Sequence, residues 1–493
     1  MPRTPHRFLF ALLLGLAQAC GETPSPAPET PSADASPPPN VLVFLVDTLR
    51  ADHLGCYGYE KDTSPNIDAF AKEGTLYEFA WAAASSTSPS HGSIFTSTYP
   101  RVHGVWNRTL DQKGEPIFPR LADKAETMAE SFQNAGYATV AITDGGNVTE
   151  SRGFAQGFDH FDSGFRGVRD RVTTAKAWLE KRNEEQPFFM FLHTYQVHTP
   201  YIPESEFVEK FADPDYQGKY RTAWEGALEF SEKNQVKNAI RVIQQRFYKK
   251  HHPKEGEGAP NSEDLNFLIS LYDAEIGLTD AVFGDLVAWM KEQELWENTV
   301  ILVTSDHGEE FWEHGQYGHH QVYDHTLHVP FLVRTPDGVG GLRRPDNIEL
   351  LDLMPSLLEL CGIPIPNSVM GRALNFQSAL PPQEDTQNVI GETNWPEEQV
   401  AFRTGKNKAM LFPNSNRRPE AYLLETDPGE HKNRVGTSTS QAFLKQVIET
   451  LETWRKLCAD TRAEYGLAPA IRNIRQLSPE RLAELQALGY VEW

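Results

Sequence analysis

Asn40-Val-Leu-Val-Phe-Leu-Val46 is a continuous apolar run containing three valines, and Asp47 follows it directly. A run that is apolar at every position, not only at alternate ones, suits a strand buried on both faces of a parallel sheet. Thr299-Val-Ile-Leu-Val-Thr304 repeats the pattern far later in the chain, and Ser305-Asp306-His307-Gly308-Glu309 closes it. In open α/β sheets the ligand crevice lies beyond the carboxyl ends of the strands, so both aspartates are expected to meet there. Between the two runs helical and strand patterns alternate, Glu126–Gly136 before Ala138–Thr143 and Val172–Lys181 before Pro187–Leu192, as crossover helices on a parallel sheet require. With 493 residues and 39% apolar side chains the chain can carry one large α/β domain and a smaller one.

A third stretch gives that crevice its chemistry. In Thr87-Ser-Pro-Ser-His-Gly-Ser-Ile-Phe-Thr96 the proline at 89 fits the first turn of a helix, where its missing N–H costs nothing. Thr87 is therefore expected at a helix mouth, beside unpaired backbone donors, a place for an anionic substrate. Asp47, Thr87, Asp306 and His307 together offer two carboxylates, a hydroxyl and an imidazole, a ligand set for one divalent cation such as Mg, Mn, Ca or Zn. The formal charge of −22 argues against a nucleic-acid-coating surface. It does not exclude a small anionic ester, because a cation and clustered histidines set the local field.

Val46-Asp-Thr-Leu-Arg-Ala-Asp-His-Leu-Gly-Cys-Tyr-Gly58, the Thr87 segment, Tyr99-Pro100 with His103-Gly104, Thr304-Ser-Asp-His-Gly-Glu309, Tyr323-Asp324 with Val329-Pro330, and Asp352-Leu-Met-Pro-Ser-Leu-Leu-Glu-Leu360 stand in one consistent order. Together they resemble the sulfatase family of the alkaline phosphatase superfamily, over roughly residues 40 to 493. The resemblance implies a mostly parallel central sheet with helices on both faces and a small C-terminal α+β subdomain. It implies a metal-dependent hydrolase of sulfuric or phosphoric esters.

The chain departs from the family pattern at the nucleophile. Sulfatases carry Cys or Ser in Cys-x-Pro-x-Arg and convert it to formylglycine; here Thr87 stands at the Cys position and His91 at the Arg position. Thr-x-Pro-x-His is similar to the segment of related phosphodiesterases and phosphatases that use an unmodified threonine. A threonine alkoxide can attack phosphorus, and water can then cleave the phospho-threonine, whereas a sulfo-threonine has no elimination route. Phosphomonoester or phosphodiester chemistry is thus slightly favoured over sulfate. Thr48 also replaces the second Asp that many sulfatases have after the first, which points to a three-residue ligand set plus nucleophile.

The remaining site residues follow from the same resemblance. His198, before Thr199-Pro200, is similar to the sulfatase histidine that contacts the oxyanion or protonates the leaving group, and His319 falls nearest the family's catalytic lysine. Thr194, Tyr195 and Gln196 stand where two-metal relatives have an Asp, so one metal is expected. His314 is assigned to substrate. Arg50 is expected to pair with a carboxylate and His103 to pack. His91 either assists the anion or fixes its loop, and Asn107 lies near the amide that related phosphodiesterases place on a phosphoryl oxygen. The expected mechanism is attack by Thr87, with His198 and His319 stabilising the oxygens and assisting the leaving alcohol. A membrane-anchored phospho-group transferase, or a degenerate member that only binds, are the alternatives.

Residues 1–20 read as an export signal ending in Leu16-Ala-Gln-Ala-Cys20, similar to a bacterial lipobox, so Cys20 is expected to be lipidated and to anchor the protein to a membrane facing the periplasm or the exterior. Residues 21–39 read as a disordered Pro-rich tether. The catalytic domain is expected over 40–384, with a helical insertion at 202–262 that includes the His251-His252 loop. The C-terminal subdomain is expected over 385–493, with a last capped helix at 477–490. Cys361 and Cys458 can pair in an oxidising periplasm if the fold brings them within bonding distance.

Overall fold

The computed structural model describes residues 38–107, 109–110, 116–234, 259–377, 387–467 and 470–473. The export signal, nearly all of the tether, the His251-His252 loop and the expected helix at 477–490 lie outside the described residues. Eight strands form the main sheet: β1 (Asn40–Val46), β2 (Thr75–Trp81), β3 (Ala138–Thr143), β4 (His160–Ser163), β5 (Phe188–Thr194), β6 (Thr299–Thr304), β7 (His328–Arg334) and β8 (Leu342–Glu349). Their spatial order is β8-β2-β7-β6-β1-β5-β3-β4. All neighbours pair in parallel except at β7, which runs antiparallel to both β6 and β2.

The apolar runs behave as their composition requires. In β1, Val41, Val43 and Leu45 enter one hydrophobic core and Leu42, Phe44 and Val46 the other, so both faces are covered. The 31-residue helix Ser262–Glu292 lines the second core, starting from Asn261, whose side chain accepts the Asp264 N–H at 2.8 Å. Met128–Asn134 covers the opposite face and begins with a capping box between Thr127 and Glu130. In the expected insertion, helices Ser205–Phe211 and Lys219–Asn234 are described. Among the described residues no helix is long and apolar enough to cross a membrane.

Beyond the main sheet, four antiparallel strands, β9 (Asn388–Thr393), β10 (Gln399–Thr404), β11 (Asn407–Leu411) and β12 (Glu420–Leu423), form a second sheet followed by the helix Ser438–Tyr465. The sheet is held to the main body by Lys408, whose fully buried ammonium lies 2.7 Å from Asp324 and 2.6 Å from Glu430. Glu392 also forms a bridge to Ala84, and the Tyr99 ring meets Trp454 of the long helix edge-on at 5.2 Å. Cys361 and Cys458 are free thiols.

Candidate active site

The three central strands β5, β1 and β6 lie side by side, with Leu45 opposite both His193 and Thr304. Their carboxyl ends therefore deliver His193, Asp47 and Asp306 to one place. Thr48 takes a left-handed φ of 57°, uncommon for a β-branched residue, and its N–H donates to Asp306 Oδ1 at 3.3 Å. That turn ties the two aspartates together. Ser90 Oγ donates to the Asp306 carbonyl at 2.7 Å and so fixes the helix Thr87–Thr96 over β6. Thr87 is the first residue of that helix, as its sequence predicts, and its Oγ1 lies 3.3 Å from His307 Nε2. Gly92 lets the helix seat this deeply, since a Cβ there would stand 2.5 Å from the buried His103 ring.

Asp47, Asp306 and His307 are fully buried, and one ligand atom from each lies within 4.8 Å of the others. Asp47 Oδ1 and Asp306 Oδ2 have no hydrogen bond among the described residues. His307 Nδ1 donates to the Gly308 carbonyl at 2.9 Å, so its Nε2 carries the lone pair and faces Asp306 Oδ2 at 3.4 Å. Burial, and then the Asp306 carboxylate beside it, push Asp47 well above the usual carboxylate range. Burial acts on Asp306 in the same direction, but His307 and His91 outweigh it and hold Asp306 well below. Two buried carboxylates with unsatisfied oxygens and a lone-pair nitrogen fit a divalent cation, which would neutralise the charge that burial penalises.

The other histidines divide into two groups. His91 Nδ1 donates to the Thr87 carbonyl at 2.9 Å and approaches Asp306 Oδ2 at 3.4 Å, so it fixes the helix mouth and lies in the crevice at once. His198 donates from Nδ1 to the Thr199 carbonyl at 2.6 Å, and its ring lies 5.3 Å from that of His319. His319 in turn stands 4.6 Å from the His307 ring, with Nδ1 3.0 Å from Glu309 Oε1. Burial, then the neighbouring His319, lower His198 to about 4, and burial with His307 lowers His319 well below 6.5. Both are neutral near pH 7. Asn107 Oδ1 accepts the Ser88 N–H at 2.8 Å, which sets its amide beside Thr87. His314 is not part of this assembly: its ring stacks on Tyr323 at 3.5 Å and neighbours His325 and His431, next to the second sheet. These surroundings give no support to the substrate role expected of His314.

Two further residues, not expected from the sequence, belong to the centre. His193 is fully buried with Nε2 3.3 Å from Asp47 Oδ2. Glu309 takes His319 on one oxygen and the Tyr201 hydroxyl, at 3.1 Å, on the other, and burial raises its pKa. The signal for His193 was its place at the end of the run Phe188-Phe-Met-Phe-Leu-His193, which mirrors Asp47 after β1. Arg50 and His103 do what was expected of them. Arg50 is paired with Asp52 at 2.8 Å and Glu313 at 2.6 Å, and His103 is packed against Ser93 Oγ at 3.2 Å.

A family model described as Sulfatase matches residues 39–363, and a second, N-sulphoglucosamine sulphohydrolase, C-terminal, matches 312–457. Among curated proteins the chain is 23% identical over 525 residues to an N-acetylglucosamine-6-O-sulfatase of Bacteroides thetaiotaomicron, covering 92% of each. It is 25% identical to an arylsulfatase of Clostridium perfringens, over 81% of this chain and 90% of that protein. Among solved structures it resembles one in complex with its substrate D-glucosamine-2-N,6-O-disulfate, with a TM-score of 0.69, 20% identity and coverage of 86% of this chain and 99% of that one. A phosphonate monoester hydrolase from Silicibacter pomeroyi matches with a TM-score of 0.65 and 19% identity, over 85% of this chain and 95% of that one.

Proposed function

The chain belongs to the sulfatase family of hydrolases, and on that premise we propose that it cleaves a sulfuric or phosphoric ester through a covalent ester on Thr87, with phosphoric esters preferred. The observation that carries the reading is the Thr87 hydroxyl, 3.3 Å from His307 Nε2 at the mouth of a helix that points into the Asp47–Asp306–His307 cluster. One divalent cation held by Asp47, Asp306 and His307, with Thr87 alongside, would supply positive charge that lowers the pKa of the attacking hydroxyl and neutralises the transferring anion.

The rest is work for the chain's own groups. Thr87 Oγ1 gives up its proton to solvent water and forms a bond to sulfur or phosphorus while the bond to the ester oxygen breaks on the opposite side, and the same oxygen takes a proton back from water when its ester opens. The leaving oxygen takes a proton from an imidazolium, His198 or His319, each of which keeps Nδ1 on a fixed acceptor and so presents Nε2 to the crevice. Arrival of an anionic group raises the proton affinity of both rings, which are otherwise neutral, and the Glu309 carboxylate behind His319 stabilises its charged form. The imidazole left behind then takes a proton from water as it opens the Thr87 ester, releasing sulfate or phosphate. Asn107 and His91 hold the helix mouth around the anion.

Support for phosphorus comes from the threonine itself, whose ester must be hydrolysed at the central atom because it cannot eliminate. The sulfated sugars named for two of the similar proteins make a sugar sulfate the competing substrate. A lipidated Cys20 and a membrane address are part of this proposal; labelled palmitate should enter the wild-type protein and not Cys20→Ser. The deciding assay compares an aryl sulfate, an aryl phosphate and a bis-aryl phosphate with Mg²⁺, Mn²⁺, Ca²⁺ or Zn²⁺, with Thr87→Ala as the blank. Thr87-dependent cleavage, fastest on a phosphate ester and abolished by a chelator, is expected. Preference for the sulfate would overturn the phosphoric assignment, and full activity in Thr87→Ala would overturn the nucleophile.

A further inference from the structure

The turn after β3 brings one more group to the nucleophile. Gly145 and Gly146 both take left-handed φ values, 74° and 57°, and a Cβ on Gly146 would stand 2.4 Å from the Tyr195 ring. Only glycine lets this turn close on Tyr195. The next residue, Asn147, is fully buried, and three bonds fix it. Its N–H donates to the Tyr195 hydroxyl at 2.9 Å, its carbonyl accepts Ser88 Oγ at 3.3 Å, and its Oδ1 accepts Arg152 Nη2 at 2.9 Å. A guanidinium only donates, so this last bond settles which end of the amide is oxygen. Nδ2 is therefore a donor, and it has no acceptor among the described residues.

The surroundings point to what it lacks. Ser88 adjoins Thr87 in sequence, and the Tyr195 ring packs edge-on against His193 at 4.9 Å and His198 at 5.3 Å. The orphaned amide thus lies between the nucleophile's helix and the β5 loop. Arg152 Nη2 also donates to the carbonyl of Asn107 at 2.8 Å, the residue whose own amide caps Ser88. One buried guanidinium accordingly aligns two asparagines on either side of Ser88. We propose that Asn147 Nδ2 donates a hydrogen bond to an oxygen of the tetrahedral sulfuryl or phosphoryl group, with Arg152 as its positioning residue. The proposal rests on the Thr87 reading for where that group sits.

The test measures binding of inorganic phosphate and of sulfate to the purified holoprotein by calorimetry, with melting recorded for every variant. Asn147→Ala removes the donor; Asn147→Asp removes it while keeping an oxygen for Arg152. Each should weaken the anion by about 10- to 100-fold, as expected for a hydrogen bond to a charged group, and Asn147→Asp should melt with the wild type. Unchanged affinity in Asn147→Ala overturns the proposal, including the case in which Asn147→Asp alone is weakened, since that is repulsion by the new charge. Should either fail to fold, Asn147→Ser is read in its place by the same criterion. Thr87→Ala should still bind both anions. If it also keeps full turnover, the nucleophile is wrong while the amide contact stands.

Discussion

Thr87 and His193 act on the centre in different ways, and substitution separates them. Thr87→Ala removes one hydroxyl and one methyl from the helix mouth; turnover should fall by about 10³-fold or more while the protein folds as before, and Thr87→Ser should keep measurable activity. A wild-type rate in the alanine variant, with contaminating hydrolases excluded, would end the covalent reading. His193 holds Asp47 Oδ2 at 3.3 Å and leaves Oδ1 without a hydrogen bond among the described residues, so it would orient a ligand from behind. His193→Ala should weaken divalent-cation affinity by about 10- to 100-fold, read by equilibrium dialysis. Asp47, Thr87, Asp306 and His307 were legible in the sequence because each follows an apolar run or opens a helix with a proline in its first turn. His193 was not, because a histidine at the end of a buried strand has the same sequence signature whether it packs or points at a carboxylate. Asn147 was hidden for another reason: its meaning lies in a bond to Arg152 and in a missing acceptor, and neither leaves a pattern in the chain.

The helix Ser262–Glu292 does more than cover the sheet. Its Glu275, buried to 1% exposure, accepts Gln196 Nε2 at 2.6 Å and the Ile202 N–H at 2.6 Å, and so clamps both ends of the loop that carries His198. Burial, against those two hydrogen bonds, pushes this carboxyl up to about 8. An acid whose pKa is higher folded than unfolded holds its proton better in the folded state. The stability this brings is complete below the unfolded value near 4.5 and is lost as pH rises towards 8. The loss is at most about 1.4 kcal/mol per pH unit for one group. Glu275→Gln should flatten the fall in melting temperature between pH 5 and pH 8 relative to wild type; an unchanged slope would mean that Glu275 is ionised throughout. This clamp was not legible in the sequence, since an isolated Glu among apolar residues reads equally as an exposed face.

The join between the two sheets depends on buried charge. Lys408 lies between Asp324 and Glu430 with no exposed surface, and Arg403 Nη1 reaches Asp324 at 3.5 Å. Replacing one member of such a set leaves the others uncompensated, so Lys408→Met should destabilise the protein by about 3–5 kcal/mol, measured by denaturant unfolding. A change under about 1 kcal/mol would show that water reaches the carboxylates. A small C-terminal α+β subdomain was legible in the sequence, but its attachment was not: a lysine in a strand looks like an edge charge until its partners are known.

That attachment also bears on the order in which the enzyme is made. Thr87 leaves the ribosome early, whereas Asp306 and His307 follow far behind it, and Glu392, which bridges to Ala84 just ahead of Thr87, later still. A growing chain that has reached Thr299 holds a threonine with no complete cation site around it. The groups of the candidate site therefore come together only once residue 307 has been made, and the bridge from Glu392 to Ala84 can close only after that.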